Sequence, residues 1–273
     1  MDRFNGIPAI GFGTYPLKGA EAEQCVAAAL DVGIRHIDTA QMYGNEKPVG
    51  RAIAASGLAR SDIFLVTKVD PSNLGAARFA DSVKRSVDDL GTVPDLLLIH
   101  WPPPDGEIGG PLERLLKAGQ AGMALKLGVS NFTPGQMRRA QQLAGGALIC
   151  NQVEFHPLLD QSRLLAAARE VSMVLTAYSP VARGKCMEEK VVQEIAARHG
   201  RPASEVVLRW ITQQGVAAIP MTRRRENAAS NLRAVDFTMS GDEMAAITAL
   251  NSRNKRLIDP AWNDPQWMTR GWD

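Results

Sequence analysis

The sequence predicts an α/β fold: a closed (β/α)8 TIM barrel that forms a single domain over residues 1–273. Two observations support this prediction. Eight short runs rich in Val, Ile and Leu recur along the chain, and segments of helical period lie between them. The runs are apolar at alternating positions on both faces, as expected for parallel strands buried between a packed interior and a layer of helices. No Pro- or Gly-rich linker divides the chain.

The predicted strands follow one another in a regular order. They are AIGFGT, RHIDTA, IFLVTK, DLLLIHW, LKLGVSN, LICNQVEF, MVLTAYS and VAAIPM. Helical period, with glycine at the end, is clearest in EAEQCVAAALDVG, FADSVKRSVDDLG, PGQMRRAQQLAGG and MEEKVVQEIAARHG. A doubly wound sheet is the alternative. It is disfavoured because GFGTYPLKG contains the first two glycines of a dinucleotide-binding fingerprint but not its G-x-G-x-x-G spacing.

Composition limits the class of partner. A net charge of +2 gives no electrostatic reason to bind nucleic acid, so we expect a small-molecule partner and a monomer. No apolar run reaches the roughly 18 to 20 residues that cross a bilayer, and the N-terminus lacks a signal pattern, which predicts a cytoplasmic protein. Cys25, Cys150 and Cys186 are far apart and odd in number, so we expect reduced thiols and no metal site.

Polar residues interrupt the apolar runs at their carboxyl ends. In a closed barrel these ends share one rim, the face that carries active sites. Each residue has a structural explanation by itself, as a cap, a solvated charge or a core imidazole. Together they predict one polar pocket, because burying charge without a partner is costly. The residues are Asp38, Lys68, His100, Ser130, Asn131, Gln152, Tyr178 and Ser179.

The segment RHIDTAQMYGNE places Tyr43 five residues after Asp38. A phenol, with a pKa near 10, donates a proton reluctantly unless a neighbouring ammonium favours its ionised form. We expect Lys68 to supply that charge and Asp38 to hold Lys68 in place. His100 can donate a hydrogen bond to an oxygen that gains negative charge. This chemistry suits reduction of an aldehyde or ketone, and it requires a nicotinamide cofactor because no side chain carries hydride.

The sequence resembles the aldo-keto reductase family over nearly its whole length. The similar segments are GFGTY, HIDTAQMYGNE, VTK, IHWP, GVSNF, NQVEFHP, AYSP and IPMTRRRENAASNL. The resemblance implies a catalytic tetrad of Asp38, Tyr43, Lys68 and His100, with Tyr43 as general acid in reduction and general base in oxidation. HIDTAQ, LIHWP, NLRAVDF and the terminal WD are most similar to the bacterial 2,5-diketo-D-gluconate reductases of the B type, which also reduce methylglyoxal-like carbonyls.

The same resemblance implies a binding site for the cofactor. Ser130, Asn131 and Gln152 are expected to hold the nicotinamide carboxamide, and Tyr178 is expected to stack on its ring, because an amide is best fixed by a hydroxyl and two amides. The remaining residues that we expect to contact the cofactor are Gly13, Thr14, Tyr15, Asp38, Ser179, Gly184, Ile219 and Asn231.

One segment departs from the family pattern. Most members place Lys-Ser after IP, and an Arg five positions beyond the Ser, as a clamp on the adenosine 2′-phosphate; this chain has Met221, Thr222 and Asn227. Arg223, Arg224 and Arg225 lie between them, and guanidinium groups bind phosphate well. Cations at a helix N-terminus oppose the helix dipole, so Arg223 and Arg224, with Thr222 and Asn227, are expected to bind the phosphate. The alternative is a solvated helix start. NADPH is the expected cofactor and NADH a possible one.

Substrate contacts are predicted at the rim. Tyr15, Met42 and Trp101 are expected to line the pocket together with Tyr43 and His100. HWPPPDGEIGGP is expected to shape the entrance, and the C-terminal LIDPAWNDPQWMTRGWD to cap the substrate. At least one of its tryptophans, Trp262, Trp267 and Trp272, is expected to attach the terminus to the barrel instead.

The other histidines have lesser roles in this prediction. His156 is expected to fix a loop, whereas His36 and His199 have no partner that the sequence indicates.

Three functions from different classes are open at this point. The first is an NADPH-dependent carbonyl reductase. The second is a cofactor-binding barrel that acts as a redox-sensing or regulatory subunit, which the complete tetrad disfavours. The third is a sugar-phosphate enzyme that shares only the barrel. It needs Gly-rich phosphate loops after the last two strands, and YSPVARGK offers a single glycine there.

Overall fold

The computed structural model describes residues 2–258, and the predicted C-terminal cap lies outside them from residue 259 onward, including its tryptophans. The chain begins with an antiparallel hairpin of β1 (Arg3–Phe4) and β2 (Ile7–Pro8). Asn5 and Gly6 connect the strands with φ of 49° and 84°, the left-handed backbone that a two-residue hairpin turn requires. The sequence analysis missed this hairpin, although FNGI carries the Asn-Gly signal.

Eight parallel strands follow in chain order, each paired with the next. They are β3 (Phe12–Gly13), β4 (His36–Asp38), β5 (Phe64–Val69), β6 (Leu96–Ile99), β7 (Lys126–Ser130), β8 (Leu148–Glu154), β9 (Val174–Tyr178) and β10 (Ala217–Ala218). The last strand returns to the first: Ile10 bridges Ala218, and the Gly11 N–H donates to the Ala218 carbonyl at 2.8 Å. The predicted (β/α)8 barrel is thereby confirmed, with its first and last strands shorter than predicted.

Helices cover the outside of the barrel. They are α1 (Gly19–Asp31), α2 (Glu46–Ala55), α3 (Phe79–Leu90), α4 (Gly109–Gln120), α5 (Pro134–Leu143), α6 (Ser162–Glu170), α7 (Lys190–His199), α8 (Ala203–Thr212), α9 (Arg225–Leu232) and α10 (Gly241–Thr248). The four helices predicted from their period are confirmed as α1, α3, α5 and α7 with small shifts at their ends. A capping box between Thr133 and Gln136 starts α5. Between residues 2 and 258, no helix combines the length and apolarity that crossing a membrane requires.

The interior of the barrel changes from apolar to polar along each strand. Residues two apart on a strand share a face. In β5, Phe64 and Val66 therefore face the same way as Lys68, and they belong to a buried interior cluster with Leu96, Leu98, Cys150 and Ala217. Ile7 of the hairpin joins this cluster and closes its lower end. The polar residues at the carboxyl ends of the strands thus lie above an apolar floor.

Candidate active site

Two neighbouring strands position a buried ion pair at the rim. Asp38 ends β4, and Lys68 lies next to the end of β5. The Lys68 side chain is fully buried, and its Nζ lies 2.6 Å from Asp38 Oδ1 and 2.8 Å from the Thr39 carbonyl. A buried ammonium requires partners of this kind, because desolvation without them is costly.

Tyr43 reaches this pair from a short helical turn after β4, Gln41–Tyr43. Its phenol oxygen lies 3.4 Å from Lys68 Nζ. The Tyr43 ring centroid is 5.5 Å from that of His100, at an edge-on angle of 78°. His100 follows β6 directly, so three strand ends place the four predicted tetrad residues around one point.

Asn45 holds the turn that carries Tyr43, and the sequence analysis missed it. Its fully buried side chain accepts a hydrogen bond from Thr39 Oγ1 at 2.6 Å and donates to the Thr14 and Leu17 carbonyls at 3.2 and 2.9 Å. These bonds connect the loop after β3 to the loop after β4. The adjacent Tyr15 and Tyr43 rings lie 5.2 Å apart.

The pKa of Tyr43 is raised well above its ordinary value, first by burial and then by the charges of Asp38 and Tyr15. The net direction of this shift is therefore opposite to the one expected from the Lys68 charge alone. Lys68 Nζ is closer to Asp38 than to the phenol, so the carboxylate offsets most of its charge and burial decides the direction. Tyr43 is therefore protonated at neutral pH, as a proton donor must be.

His100 is a neutral imidazole. Burial lowers its pKa well below the ordinary value, and the nearby Lys68 charge lowers it further. Its Nδ1 has no hydrogen-bond partner among residues 2–258. A neutral ring has one N–H to donate, which suits an oxygen that gains negative charge.

The predicted amide-binding residues are hydrogen-bonded to one another and to the tetrad. Gln152 Nε2 donates to Asp38 Oδ2 at 2.7 Å, and Ser130 Oγ donates to the Gln152 carbonyl at 2.8 Å. Asn131, with a left-handed φ of 62°, donates to the His100 carbonyl at 3.0 Å. The link from Gln152 to Asp38 was not predicted. Within the described residues, Gln152 Oε1 makes no hydrogen bond and is available as an acceptor.

Tyr178 ends β9 beside these amides. Its hydroxyl donates to Asn131 Oδ1 at 2.8 Å, and burial followed by the charge of Glu154 raises its pKa. The ring is therefore neutral, fixed at its hydroxyl and only half-buried. Ser179 and Gly184 follow in a turn where both have positive φ, of 50° and 96°.

The first and last barrel strands approach each other closely at the rim. A Cβ on Gly13 would lie 2.8 Å from the Ile219 carbonyl oxygen, so this contact requires glycine. The next residue, Thr14, is fully buried, and its hydroxyl has no partner within residues 2–258. These three predicted cofactor residues therefore lie together.

Two of the three arginines at the start of α9 form ion pairs with residues of α1. Arg223 Nε lies 2.6 Å from Glu21 Oε1, and Arg225 Nη2 lies 2.5 Å from Asp31 Oδ2. Arg224 is exposed, forms no ion pair within the described chain, and donates its backbone N–H to Thr222 Oγ1 at 3.1 Å. The predicted clamp of Arg223 and Arg224 therefore has one guanidinium already paired. On α9 the predicted Asn227 is exposed, whereas Asn231 is buried.

The predicted substrate residues differ in exposure. Tyr15 and Met42 are 60% and 43% exposed at the rim, whereas Trp101 is only 5% exposed and offers little surface to a substrate. The predicted entrance segment ends inside a helix, because α4 begins at Gly109.

The remaining histidines all have partners. His156 is fully buried, with Nε2 at 2.8 Å from Glu154 Oε1, in agreement with a loop-fixing role. The sequence indicated no partner for His36 or His199, and the structure shows one for each. His36 Nδ1 lies 3.2 Å from the Pro8 carbonyl, and His199 Nε2 lies 3.0 Å from Glu243 Oε2, lowering the pKa of that carboxyl to about 2.

Comparison with known proteins identifies the family. The Aldo/keto reductase family pattern matches residues 9–252. The chain belongs to the aldo/keto reductase family. Family membership sets aside the sugar-phosphate alternative, which shared only the barrel.

Similar proteins cover nearly the whole chain. Methylglyoxal reductase DkgB of Escherichia coli O157:H7 is 38% identical over 265 residues, which are 96% of this chain and 99% of that protein. An aldo-keto reductase of Mycobacterium avium (strain 104) is 40% identical over 94% of this chain and 91% of its own length. A crystal structure provisionally described as a 2,5-diketo-D-gluconic acid reductase B superposes with a TM-score of 0.93 and 41% identity, covering 97% of this chain and 95% of that one.

Proposed function

We propose that this protein reduces aldehyde and ketone carbonyls to alcohols with hydride from NADPH, and that Tyr43 is the general acid. One observation carries the proposal: the buried Tyr43 phenol lies 3.4 Å from Lys68 Nζ, which is itself paired with Asp38 at 2.6 Å. A donor that burial keeps protonated, next to a fixed cation, is suited to protonate an oxygen that gains negative charge.

The proton step uses residues of this chain alone. Tyr43 gives its phenolic proton to the carbonyl oxygen, and the Lys68 ammonium stabilises the phenolate that remains. The neutral His100 donates a hydrogen bond to the same oxygen and orients the carbonyl. In the reverse direction the Tyr43 phenolate takes the proton from the alcohol.

The residues around the tetrad fit a nicotinamide cofactor, which when bound supplies the hydride. Gln152 Oε1 is an acceptor without a partner in the described chain, as a carboxamide NH2 requires, and the half-buried Tyr178 offers a ring face for stacking. The bare backbone of Gly13 leaves no side chain between β3 and Ile219. We assign the rest of the cofactor site to Thr14, Tyr15, Asp38, Ser130, Asn131, Ser179, Gly184, Thr222, Arg223, Arg224, Asn227 and Asn231.

We propose NADPH as the preferred cofactor because Arg224, at the start of α9 beside Thr222, presents a guanidinium that forms no ion pair with any residue from 2 to 258. A phosphate there would pair with that guanidinium and accept hydrogen bonds from the backbone N–H groups at the start of the helix. Arg223 contributes only when it leaves Glu21. NADH is the alternative cofactor.

The substrates that we propose are small polar carbonyls, such as methylglyoxal-like aldehydes and keto-sugars of the 2,5-diketo-D-gluconate type. The names of the similar proteins support this class. Tyr15 and Met42 are exposed at the rim, where they can contact a substrate that Tyr43 and His100 hold below. A cytoplasmic location and a monomeric state stay predictions.

Cofactor binding and turnover measured separately test the proposal against a redox-sensing barrel. NADPH and NADH are titrated by quenching of tryptophan fluorescence, and oxidation of NADPH is then followed with methylglyoxal and with 2,5-diketo-D-gluconate. We expect tight NADPH binding and turnover of at least one carbonyl. Tight binding without turnover of any carbonyl contradicts the reductase and favours the sensor.

A further inference from the structure

The turn that carries Tyr43 is attached to β5 by a side chain that the proposed reaction does not use. Backbone pairing between β4 and β5 ends at Thr39, whose N–H donates to the Val66 carbonyl at 2.9 Å. The turn Gln41–Tyr43 begins two residues later. Among residues 2–258, its hydrogen bonds to β5 and to the loop after β5 come from the Gln41 side chain and the Tyr43 phenol. At 3.4 Å the phenol contact is too long to fix the turn by itself.

Gln41 uses both polar atoms of its amide. Its Oε1 accepts the Asp70 N–H at 2.9 Å and Asn73 Nδ2 at 3.0 Å, both from the loop directly after β5. Its Nε2 donates to Ser86 Oγ on α3 at 3.0 Å. Because a backbone N–H can only donate, the Asp70 contact also fixes the orientation of the amide. Lys68 lies two residues before Asp70, so Gln41 connects the start of the turn to the strand end that carries the ammonium.

Ser86, the partner of Gln41 on α3, is itself fixed by a buried glutamate. Ser86 Oγ donates to Glu46 Oε2 at 3.2 Å, and Glu46 Oε1 accepts a hydrogen bond from Thr67 Oγ1 at 2.5 Å. Ser86 is 1% exposed and Glu46 is 7% exposed. Thr67 directly precedes Lys68 on β5, and neighbouring residues of a strand point to opposite faces. These contacts therefore connect the helix side of the same strand back to Gln41.

We propose that Gln41 is a positioning residue: it holds the Tyr43 phenol next to the Lys68 ammonium and thereby sets the rate of proton transfer. This inference rests on the proposed function, in which Tyr43 is the general acid. Asn45 fixes the other end of the turn, but its hydrogen bonds run to Thr39 and to the loop after β3. Gln41 is thus the side chain that sets the turn relative to Lys68. A displacement of reacting groups by about 1 Å can cost about 10²-fold in rate.

The pH dependence of alcohol oxidation reports on this position. Titratable groups surround Tyr43 in the described chain: Tyr15, Lys18, Asp38, Lys68, His100 and Tyr178. Oxidation needs the Tyr43 phenolate, and Lys68 is the cation that contacts the phenol oxygen. A longer distance to Lys68 leaves burial and the Asp38 charge less opposed, which raises the pKa of Tyr43 further. The oxidation profile then shifts to alkaline pH, whereas a loss of stability alone does not shift it.

Two variants and a control test the role of Gln41. Gln41→Met keeps the approximate size of the side chain and removes its three hydrogen bonds. Ser86→Ala removes only the contact on α3, so it keeps the test open if the first variant does not fold. Gln141→Met is the matched control. Gln141 is also half-buried and makes three hydrogen bonds, to Leu148 and Val171, at the start of β8 and away from the rim.

The position of the phenol is measured without turnover. In protein labelled with carbon-13 at tyrosine Cζ, the Tyr43 NMR signal is assigned by its absence from Tyr43→Phe. We expect Gln41→Met to move this signal, Ser86→Ala to move it less, and Gln141→Met to leave it in place. An unmoved signal in Gln41→Met, or in Ser86→Ala where the first variant does not fold, overturns the positioning role. This result is obtained whether or not the protein reduces any carbonyl, so failure of the inference and failure of the proposed function are distinguishable.

Kinetics test the consequence for the reaction. In Gln41→Met we expect the single-turnover rate of carbonyl reduction to fall by about tenfold to a hundredfold, with the Kd for NADPH within about twofold of wild type. The pH profile for alcohol oxidation should shift to alkaline pH. Ser86→Ala should show smaller changes of the same kind, and the double variant should match Gln41→Met, because Ser86 acts through Gln41. A moved signal with a wild-type rate, a slower rate with an unshifted pH profile, or equal slowing in Gln141→Met overturns the inference.

Discussion

Two ion pairs of nearly equal length lie in opposite surroundings. Lys68 and Asp38, 2.6 Å apart at the rim, have side chains 0% and 2% exposed. Arg223 and Glu21, also 2.6 Å apart, have side chains 54% and 47% exposed between the start of α9 and α1. The buried charges stand beside groups whose pKa values are strongly shifted, whereas the exposed arginine can exchange its partner. Distance alone therefore does not say what an ion pair does.

Solvent explains the difference. Water and salt screen exposed charges, so surface pairs contribute about 0 to 1 kcal/mol. Inside the barrel the effective dielectric is lower, and removing one partner leaves a charge that nothing compensates. We expect substitution in the buried pair to destabilise the fold strongly. Substitution in an exposed pair should change the stability only slightly.

The largest effect is expected from Lys68→Met. Losing the ammonium leaves Asp38 buried and unpaired, which costs about 3 to 5 kcal/mol in the free energy of unfolding measured with urea. Reduction should fall by about 10²- to 10⁴-fold. The pH profile for alcohol oxidation should shift to alkaline pH, because oxidation needs the Tyr43 phenolate and Asp38 alone disfavours it. An unshifted pH profile would show that Lys68 does not stabilise the Tyr43 phenolate.

Lys84→Met is the matched control for that variant. Lys84 pairs with Asp88 at 2.7 Å on α3, and both side chains are mostly exposed. The same substitution there should leave turnover unchanged and alter stability only slightly. Equal destabilisation by the two variants would contradict the account of burial.

An intermediate effect, on cofactor affinity, is expected from substitutions in the arginine run at residues 223–225. Replacing Arg223 and Arg224 by Ala should weaken NADPH binding more than NADH binding, because only NADPH carries the 2′-phosphate. Arg224→Ala alone should cause most of the loss, about tenfold in Kd, since Arg223 is already paired. Glu21→Gln should tighten NADPH binding by freeing Arg223, and Arg225→Ala is the control. Equal losses in affinity for both cofactors would show that these arginines do not bind the 2′-phosphate and form only a solvated helix start.

The smallest effect is expected from Asp31→Asn. This change breaks the exposed pair with Arg225, which salt screens over roughly 8 to 10 Å. The midpoint of urea unfolding should move slightly in dilute buffer and not at all at about 1 M NaCl. A large shift that persists at high salt would show that exposed pairs between α1 and α9 stabilise the fold as the buried one does.

The sequence predicted the barrel and the tetrad residues because both depend on local patterns. Apolar runs indicate strands, and polar residues at their ends must meet at one rim. The pairs of Arg223 with Glu21 and of Arg225 with Asp31 join residues about 200 positions apart, which no local pattern indicates. The direction of the Tyr43 pKa depends on burial, which the sequence does not specify. The Asn5–Gly6 hairpin was predictable and was missed.

Tyr43→Phe tests the central claim most directly, because it removes the phenolic oxygen and leaves the ring. The measurement is single-turnover reduction of methylglyoxal by the NADPH-loaded variant, with the Kd for NADPH determined on the same sample. If Tyr43 is the proton donor, the rate of reduction falls by about 10²- to 10⁴-fold while the Kd stays at its wild-type value. Reduction at nearly the wild-type rate would contradict the assignment of Tyr43 as the general acid.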